Sequence, residues 1–591
     1  MIDFDAGALW LYVPAVIVVY GLVVAILWSE GDDGGGRRGL ARLAHRMSDG
    51  GERYTGLAGW SAGSAITALW AGAVAAIGLY WDVAWHVDNG RDESVLTPSH
   101  TLILIGLGGL VLASVTAIVL ATVTGAPTRL RIAGMAVPWS ALVMSGLGIG
   151  AVAAFPFDAL WHNAYGIDVT LWSPTHLQLV AGGGLGPLAA WLALREGRTL
   201  GEPLPFGRGL EVTILGAALV GVSAFQGEFD FGVPQFQAAY LPLLFAAASS
   251  IVLVLARIAY GPGGALWAAG IFALMRTCLA ILVSGALAHT TPRFPIYLAA
   301  ALCVEGAALL LGTERGLRFA LVAGALVGTV GVAGEMAWVG LSGWGELASP
   351  PAAGPMLVLA VLAAMTATAG ALLGLGLGQA AAPHTGFSAP LGLVAGAVLV
   401  LAMAVPLPRN VGEVDAVIRL ATVGDKANVE VQLTPADAAV GATAFGVTAW
   451  QGGGPRETSG MRELGPGRYV SERPLPVSGR WKTVVGLQRG DQVMAAPVYL
   501  PADPGIGAPE IPAVDGRRTS FVRNTDLLMR EVHGGPAWVA NASYTGVAMV
   551  VAMWVGLLAL AVRRVGGDAT PTSWTPPVGV VAAGPLSGAW R

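Results

Sequence analysis

Thirteen stretches of mostly apolar residues, each about long enough to cross a bilayer, leave this chain few folds to choose from. They fall at about 8–28, 57–81, 101–124, 134–157, 177–194, 209–227, 237–256, 265–288, 296–312, 319–341, 355–377, 390–406 and 543–562. A backbone in lipid has no water to satisfy its N–H and C=O groups, so runs of this kind cross as helices. Only 12% of the 591 residues are charged, where an ordinary soluble domain has roughly a quarter. A soluble enzyme is excluded, and a formal net charge of -4 offers no basic surface for nucleic acid. The fold class expected is an α-helical polytopic membrane protein of about thirteen transmembrane helices. Cys278 and Cys303, the only cysteines, lie inside apolar runs, which speaks against a disulfide framework or a cysteine zinc site.

Arginines orient the runs. Arg37, Arg38, Arg42, Arg46 and Arg53 follow the first, Arg129 and Arg131 the third, Arg198 and Arg208 the fifth, and Arg563 and Arg564 the last, so these segments are expected on the cytoplasmic side of a cell membrane. The N-terminus is then extracytoplasmic, and the first run reads as an anchor, since Asp3 and Asp5 stand where a signal peptide is basic. The expected division is 1–56 for the anchor and a cytoplasmic loop, 57–260 for a repeated helix-pair domain and 261–407 for further membrane helices. A domain outside the membrane at 408–542, a final span at 543–564 and a disordered cytoplasmic tail at 565–591 complete it. In 408–542, β-rich runs at 414–423, 428–433, 444–450, 468–472, 481–487 and 493–499 alternate with glycine turns, which predicts an extracytoplasmic antiparallel β-sandwich. That domain has no Cys, and His533 is its only His, so no blue-copper site is expected in it.

Inside 57–260 the chain repeats itself. Residues 81–100 read WDVAWHVDNGRDESVLTPSH, and 157–176 read FDALWHNAYGIDVTLWSPTH. A shift of 76 residues lays Asp82 on Asp158, Trp85 on Trp161, His86 on His162, Asp92 on Asp168, Pro98 on Pro174 and His100 on His176. With eight His in the whole chain, two aligned pairs among these matches point to duplication of a two-helix unit. Asp and His four apart share a helix face, and a helical hairpin returns the second His beside them. A lone His or Trp at a span end would be an ordinary interfacial residue. The doubled Asp-His-His set reads instead as two three-ligand metal sites on the outer side, suited to copper, zinc or iron, each leaving a position open for water, oxygen or substrate. Asp92 and Asp168, in the intervening loops, are candidate supports for the histidines.

The run Asp82-Val-Ala-Trp-His86, followed by Arg91-Asp92 and Thr97-Pro-Ser-His100, resembles the C subunit of the copper membrane monooxygenases, the particulate methane and ammonia monooxygenases. That family carries an Asp-x3-His-x12-His set in the context DxxWH, RD and TPSH; the loop here is one residue longer. A neighbouring copper site in the family uses Asn, His and His, and Asp158, His162 and His176 look like its counterpart, with Asp158 in place of the Asn. The resemblance covers roughly 57–260. Gly465-Pro-Gly-Arg-Tyr469 and Gly479-Arg-Trp-Lys482 loosely resemble small β-domains beside copper-handling membrane proteins. The resemblance implies a copper-dependent monooxygenase-like oxidoreductase that hydroxylates a small substrate of the alkane or ammonia type. It also implies dioxygen as oxidant, a membrane electron donor such as quinol, and self-association, since related oxygenases assemble as trimers. Set against this are a non-catalytic copper-binding, acquisition or transport protein, and a transporter or assembly scaffold with structural sites.

Other polar residues interrupt the apolar runs. Glu228 and Asp230 occupy the place of a third, degenerate copy that lacks His. Arg276 and Glu305 sit inside the eighth and ninth runs, where mutual pairing would offset their desolvation. Glu335 lies near the outer part of the tenth. Together these five are candidates for an access or proton route, with interfacial anchoring or ion pairing as the plainer reading. His289, opening an outer loop, is a candidate further ligand.

Overall fold

The computed structural model describes residues 37–91, 96–166, 170–198, 203–233, 237–343, 353–382, 387–404, 411–528, 530 and 534–567. The run at 8–28, Asp92, Asp168, His533 and the tail beyond Gly567 lie outside the described residues. Among the described residues, ten helices are long and apolar enough to cross a membrane. They are α2 (Gly59–Asn89), α3 (Pro98–Val123), α4 (Trp139–Tyr165), α5 (Pro174–Glu196), α6 (Pro205–Asp230), α7 (Tyr240–Tyr260), α8 (Gly264–Ala286), α10 (Thr313–Leu341), α11 (Ala353–Leu377) and α13 (Ala537–Gly567). Two further runs form shorter apolar helices, α9 (Leu298–Leu311) and α12 (Ala389–Ala404).

Two stretches differ from the expected loops. The arginine-rich stretch after the first run is helix α1 (Arg37–Thr55), with Ala44 and Ser48 buried and Arg42, Arg46 and Arg53 exposed. It packs on α2, α3 and α6. Gly59 permits this, because a Cβ there would overlap the carbonyl oxygen of Ser48. The fourth run begins as a short hairpin, β1 (Leu130–Ile132) and β2 (Met135–Val137), before α4 starts.

The duplication extends to the packing. Gly106 of α3 lies against Ala75 of α2, and Gly182 of α5 lies against Ala151 of α4, 76 positions on in both cases; a Cβ at either glycine would come within 2.6 Å of the facing alanine Cβ. Small residues let membrane helices approach closely when lipid supplies no hydrophobic drive for association. Gly78 makes the first hairpin tighter still, since a Cβ there would stand 2.7 Å from the Ile103 nitrogen. This approach sets the start of α3 beside the end of α2.

Arg276 and Glu305 are each paired with an opposite charge, but not with each other. Arg276 Nη2 lies 2.7 Å from Asp230 Oδ2, with both side chains fully shielded from solvent. The guanidinium also stacks over the Tyr80 ring at 4.1 Å and donates to the Tyr80 hydroxyl and to the Arg293 carbonyl. Glu305 pairs with Arg257 at 2.9 Å and accepts from the Gly263 and Ala265 nitrogens at the start of α8, where a carboxylate is favoured by the helix dipole. The reason is register: α9 has 14 residues and its Glu305 sits level with the start of α8, while Arg276 lies 12 residues, about 18 Å, further along. Glu335 is buried and accepts from the Ile296 nitrogen, bracing the non-helical stretch between α8 and α9.

The C-terminal domain is an antiparallel sheet of ten strands. Its path runs β11 (Arg517–Ser520), β3 (Asp415–Val423), β4 (Lys426–Thr434), β7 (Arg468–Ser471), β6 (Glu457–Gly465), β5 (Ala444–Trp450), β9 (Lys482–Arg489), β10 (Gln492–Tyr499) and β12 (Val522–Arg523), with β8 (Leu475–Pro476) beside β4. Ile418, Val431, Val447, Val485 and Met494 share one core, so both halves of the path face each other across it. The six expected strands are present. The one that joins the halves, β6, has no apolar alternation in Glu457–Gly465 and was not expected from the sequence.

Removing one partner of a fully buried ion pair strands the other charge, at a cost of about 3–5 kcal/mol, whereas replacing both by apolar groups is often neutral. Arg276→Met should therefore destabilise the protein by that order, and Asp230→Leu/Arg276→Met should regain most of it. Thermal denaturation in detergent micelles reads both.

Candidate metal centres

Both helix hairpins close in the same way. Gly90 and Gly166, 76 residues apart, take φ values of 93° and 91° and donate their N–H groups to the carbonyls of His86 and His162. A positive φ is what glycine allows at a helix end. At the next helix start, the hydroxyls of Thr97 and Ser173 accept from the nitrogens of His100 and His176, with Pro98 and Pro174 in the first turn. Cap and proline together fix where each second histidine leaves its helix.

Each hairpin brings its three predicted residues together. The ligand atoms of Asp82, His86 and His100 lie within 4.8 Å of one another, as do those of Asp158, His162 and His176. Asp82 stands 3.7 Å from His86 Nε2 and 3.0 Å from His100 Nε2. Asp158 stands 3.6 Å from His162 Nε2 and 3.4 Å from His176 Nε2. Groups bound about 2 Å from one ion at angles of 90–110° stand roughly 2.8–3.3 Å apart, so the carboxylate–imidazole spacings are within a few tenths of an ångström of those around a shared ion, and the 4.8 Å bound on each whole set leaves the imidazoles to draw together on binding.

Hydrogen bonds orient the same atoms. His86 Nδ1 faces the Gly90 carbonyl at 2.9 Å, and His176 Nδ1 faces the Thr170 carbonyl at 2.7 Å. A carbonyl only accepts, so Nδ1 carries the proton of this bond and Nε2 is the ring atom turned to the carboxylate. An Nδ1–H bound to a carbonyl is the usual support of a metal-binding imidazole, leaving Nε2 as the ligand atom. Ser99 donates to Asp82 at 2.8 Å, and Thr175, its counterpart in the second copy, donates to Asp158 at 2.5 Å. One carboxylate with two imidazoles and no thiolate suits copper, zinc or iron.

The two centres open into one cavity of about 450 Å³, lined by Asp82 and His100 from the first and by Asp158 and His176 from the second. Phe155 lies between them, edge-on to His100 at 5.7 Å. None of Glu228, Asp230, Arg276, Glu305 and Glu335 lines this cavity. Two of them act as supports instead, one for each centre. Glu228 accepts from the Thr170 hydroxyl and the Leu171 nitrogen, and so holds the carbonyl that orients His176. Asp230 holds Arg276, which holds Tyr80, two residues before Asp82. His289 is not part of either triad: its Nδ1 lies 3.0 Å from Asp88 Oδ2.

The two centres are covered by different parts of the chain. Over the first sits the β-domain, where Gln451 donates its backbone N–H to the Val87 carbonyl and its side-chain amide to the His86 carbonyl. Gly453 donates to the Asp88 carbonyl and Arg480 to the Asn89 carbonyl. The carbonyls at the end of α2 thus accept from two loops of the β-domain, 365 and 391 residues away. Over the second sits the start of α13, through Tyr165 to the Pro536 carbonyl and Tyr544 to the Trp172 carbonyl.

Ser99 and Thr175 escape an identity-based comparison because the copies exchange Thr and Ser, TPSH against SPTH; matching by hydroxyl finds them. Gln451, Asp88 and Tyr80 carry no sequence signal, since positions 164 and 156, opposite the last two, hold Ala and Pro. Losing an outer support of a metal ligand costs about 10–100-fold in affinity. Ser99→Ala is expected to weaken metal at the first centre alone and Thr175→Val at the second alone, as read by titration of metal into metal-free protein. No protein-family model, curated protein or solved structure matches the chain.

Proposed function

We propose that this chain is a multi-pass cell-membrane oxidoreductase of the copper monooxygenase type. Asp82, His86 and His100 hold one metal and Asp158, His162 and His176 another. The observation that carries this reading is the opening of two Asp-His-His sets into a single apolar cavity. Ions held for structural reasons are enclosed by four protein ligands, whereas three ligands beside a cavity leave room for a reactant. Copper, when bound, supplies one-electron chemistry with dioxygen, and the electrons come from a donor such as quinol. The chain's own part is to fix the carboxylates through Ser99 and Thr175, to set the imidazoles through Gly90 and Thr170, and to exclude water with apolar walls. The centres and the β-domain lie at the same end of the bundle, read as extracytoplasmic, with the end of α13 on the cytoplasmic side.

A second reading, copper acquisition or transport, draws on Met275 and Cys278. These two soft donors sit three positions apart on α8 and line the same cavity.

Metal analysis with electron paramagnetic resonance on the purified protein tests the first reading. His86→Ala/His100→Ala and His162→Ala/His176→Ala should each remove one of two metal signals, and retention of full metal by both variants would overturn it. Substrate-dependent oxygen uptake with a competent reductant, lost in the same variants, is expected of an oxygenase. Its absence, together with metal transfer that fails in Met275→Leu/Cys278→Ser, is expected of a copper-handling protein.

A further inference from the structure

The cavity that joins the two centres has room for a molecule far larger and longer than methane or ammonia. A 150 Å³ apolar cavity holds a benzene ring, and this one measures about 450 Å³. By that proportion it takes about eighteen carbon atoms. It is also elongated: it follows α2 from Leu69 to Asp82, thirteen residues and so about 20 Å of helix. Small residues leave the space. Gly72 and Ala76 of α2, Gly183 of α5 and Gly221 of α6 line it, and a Cβ added at Gly72 would meet nothing within 4 Å. Polar groups are gathered toward one end, where Asp82, His100, Asp158 and His176 stand; along the rest, aliphatic walls give water few partners.

The cavity also has a side door. α2 and α8 both pack on α6 and meet each other toward the polar end, through Arg276 on Tyr80 and through Leu279 and Val283, while their middles lie apart. In that gap Ala73 of α2, with Leu274 and Cys278 of α8, both lines the cavity and is exposed. Ala73 and Leu274 sit near the middle of helices long enough to span a bilayer, so the opening faces hydrocarbon.

We infer that the cavity binds an extended hydrocarbon chain of about ten to eighteen carbons, admitted sideways from the bilayer between α2 and α8, with one end delivered to the two Asp-His-His sets. The identity of that end as the reacting one rests on the function proposed above; occupancy of the cavity does not. The same hydrocarbon chemistry has two sources, a free long-chain molecule and the acyl tail of a phospholipid, and the inference commits to the free molecule.

The test is photolabelling of the full chain in phosphatidylcholine nanodiscs, with diazirine-bearing hexadecane in one arm and a phospholipid carrying the same diazirine chain in the other. Labelled peptides are then mapped by mass spectrometry. The hexadecane probe should mark residues 69–80 and 274–282, be displaced by unlabelled hexadecane and dodecane, and persist in an equal mole fraction of butane. Gly72→Phe, filling the cavity, and Leu274→Trp, closing its mouth, should each lower this labelling at least tenfold. Both variants should leave labelling of the exposed Leu357–Val361 face, the melting temperature and the metal content unchanged. Labelling insensitive to both variants, or equally strong from the phospholipid and not displaced by hexadecane, overturns the inference. A variant with all four triad histidines changed to Ala separates the two readings. Labelled as wild type, it leaves the cavity assignment standing whatever becomes of the metal; if it loses labelling while folded, the cavity assignment fails.

Discussion

A carboxylate enclosed by apolar helices is expensive until something positive lies against it, and the architecture around residues 59–196 is organised by that cost. Asp82 and Asp158 each sit between two imidazoles and a hydroxyl donor. Those groups arrive only because the hairpins close tightly, through Gly106 and Gly182 in the crossings and Gly90 and Gly166 at the helix ends. Asp230 meets the same cost with Arg276, and Glu305 with Arg257 and a helix start. Every one of these buried acids is placed where the fold supplies a donor, so charge accounting and helix packing are one problem here.

Duplication made two similar centres, and the later parts of the chain made them different. Tyr80 in the first copy reaches the buried Arg276, while the second copy has Pro156 at that place and no such link. The single turn Gly227–Asp230 serves both, with Glu228 turned to the loop of the second centre and Asp230 to the helix of the first. The segment that looks like a third copy without histidines is therefore a common brace. A displacement of this turn would reach both triads through different bonds.

Much of the site was legible because its geometry is local. Asp-x3-His fixes two residues on one helix face, and a hydroxyl followed by proline three and two positions before His fixes the third by capping. The apolar runs among the described residues, by the same logic, fall on helices. What stayed hidden is relational. The partners of Arg276 and Glu305 depend on how far the short α9 slides along α8, and no residue of either helix encodes that offset by itself. Asp88 has no acidic counterpart in the second copy and Gln451 lies outside the repeat, and their meeting with the loop at Thr290 and with α2 exists only in the assembled fold. The polar strand β6 is held by its neighbours on both sides, which pattern alone does not reveal.

Gln451 contacts a carbonyl 365 positions earlier in the chain, and Pro536 accepts from a tyrosine 371 positions earlier. During synthesis the hairpins of both centres are therefore made long before the pieces that close them exist. The final turn of α2 waits for the β-domain, and the second loop waits for the last helix. The two centres reach their finished form only when the C-terminal quarter has been made and folded back, so completion of the chain and completion of the sites are a single late event.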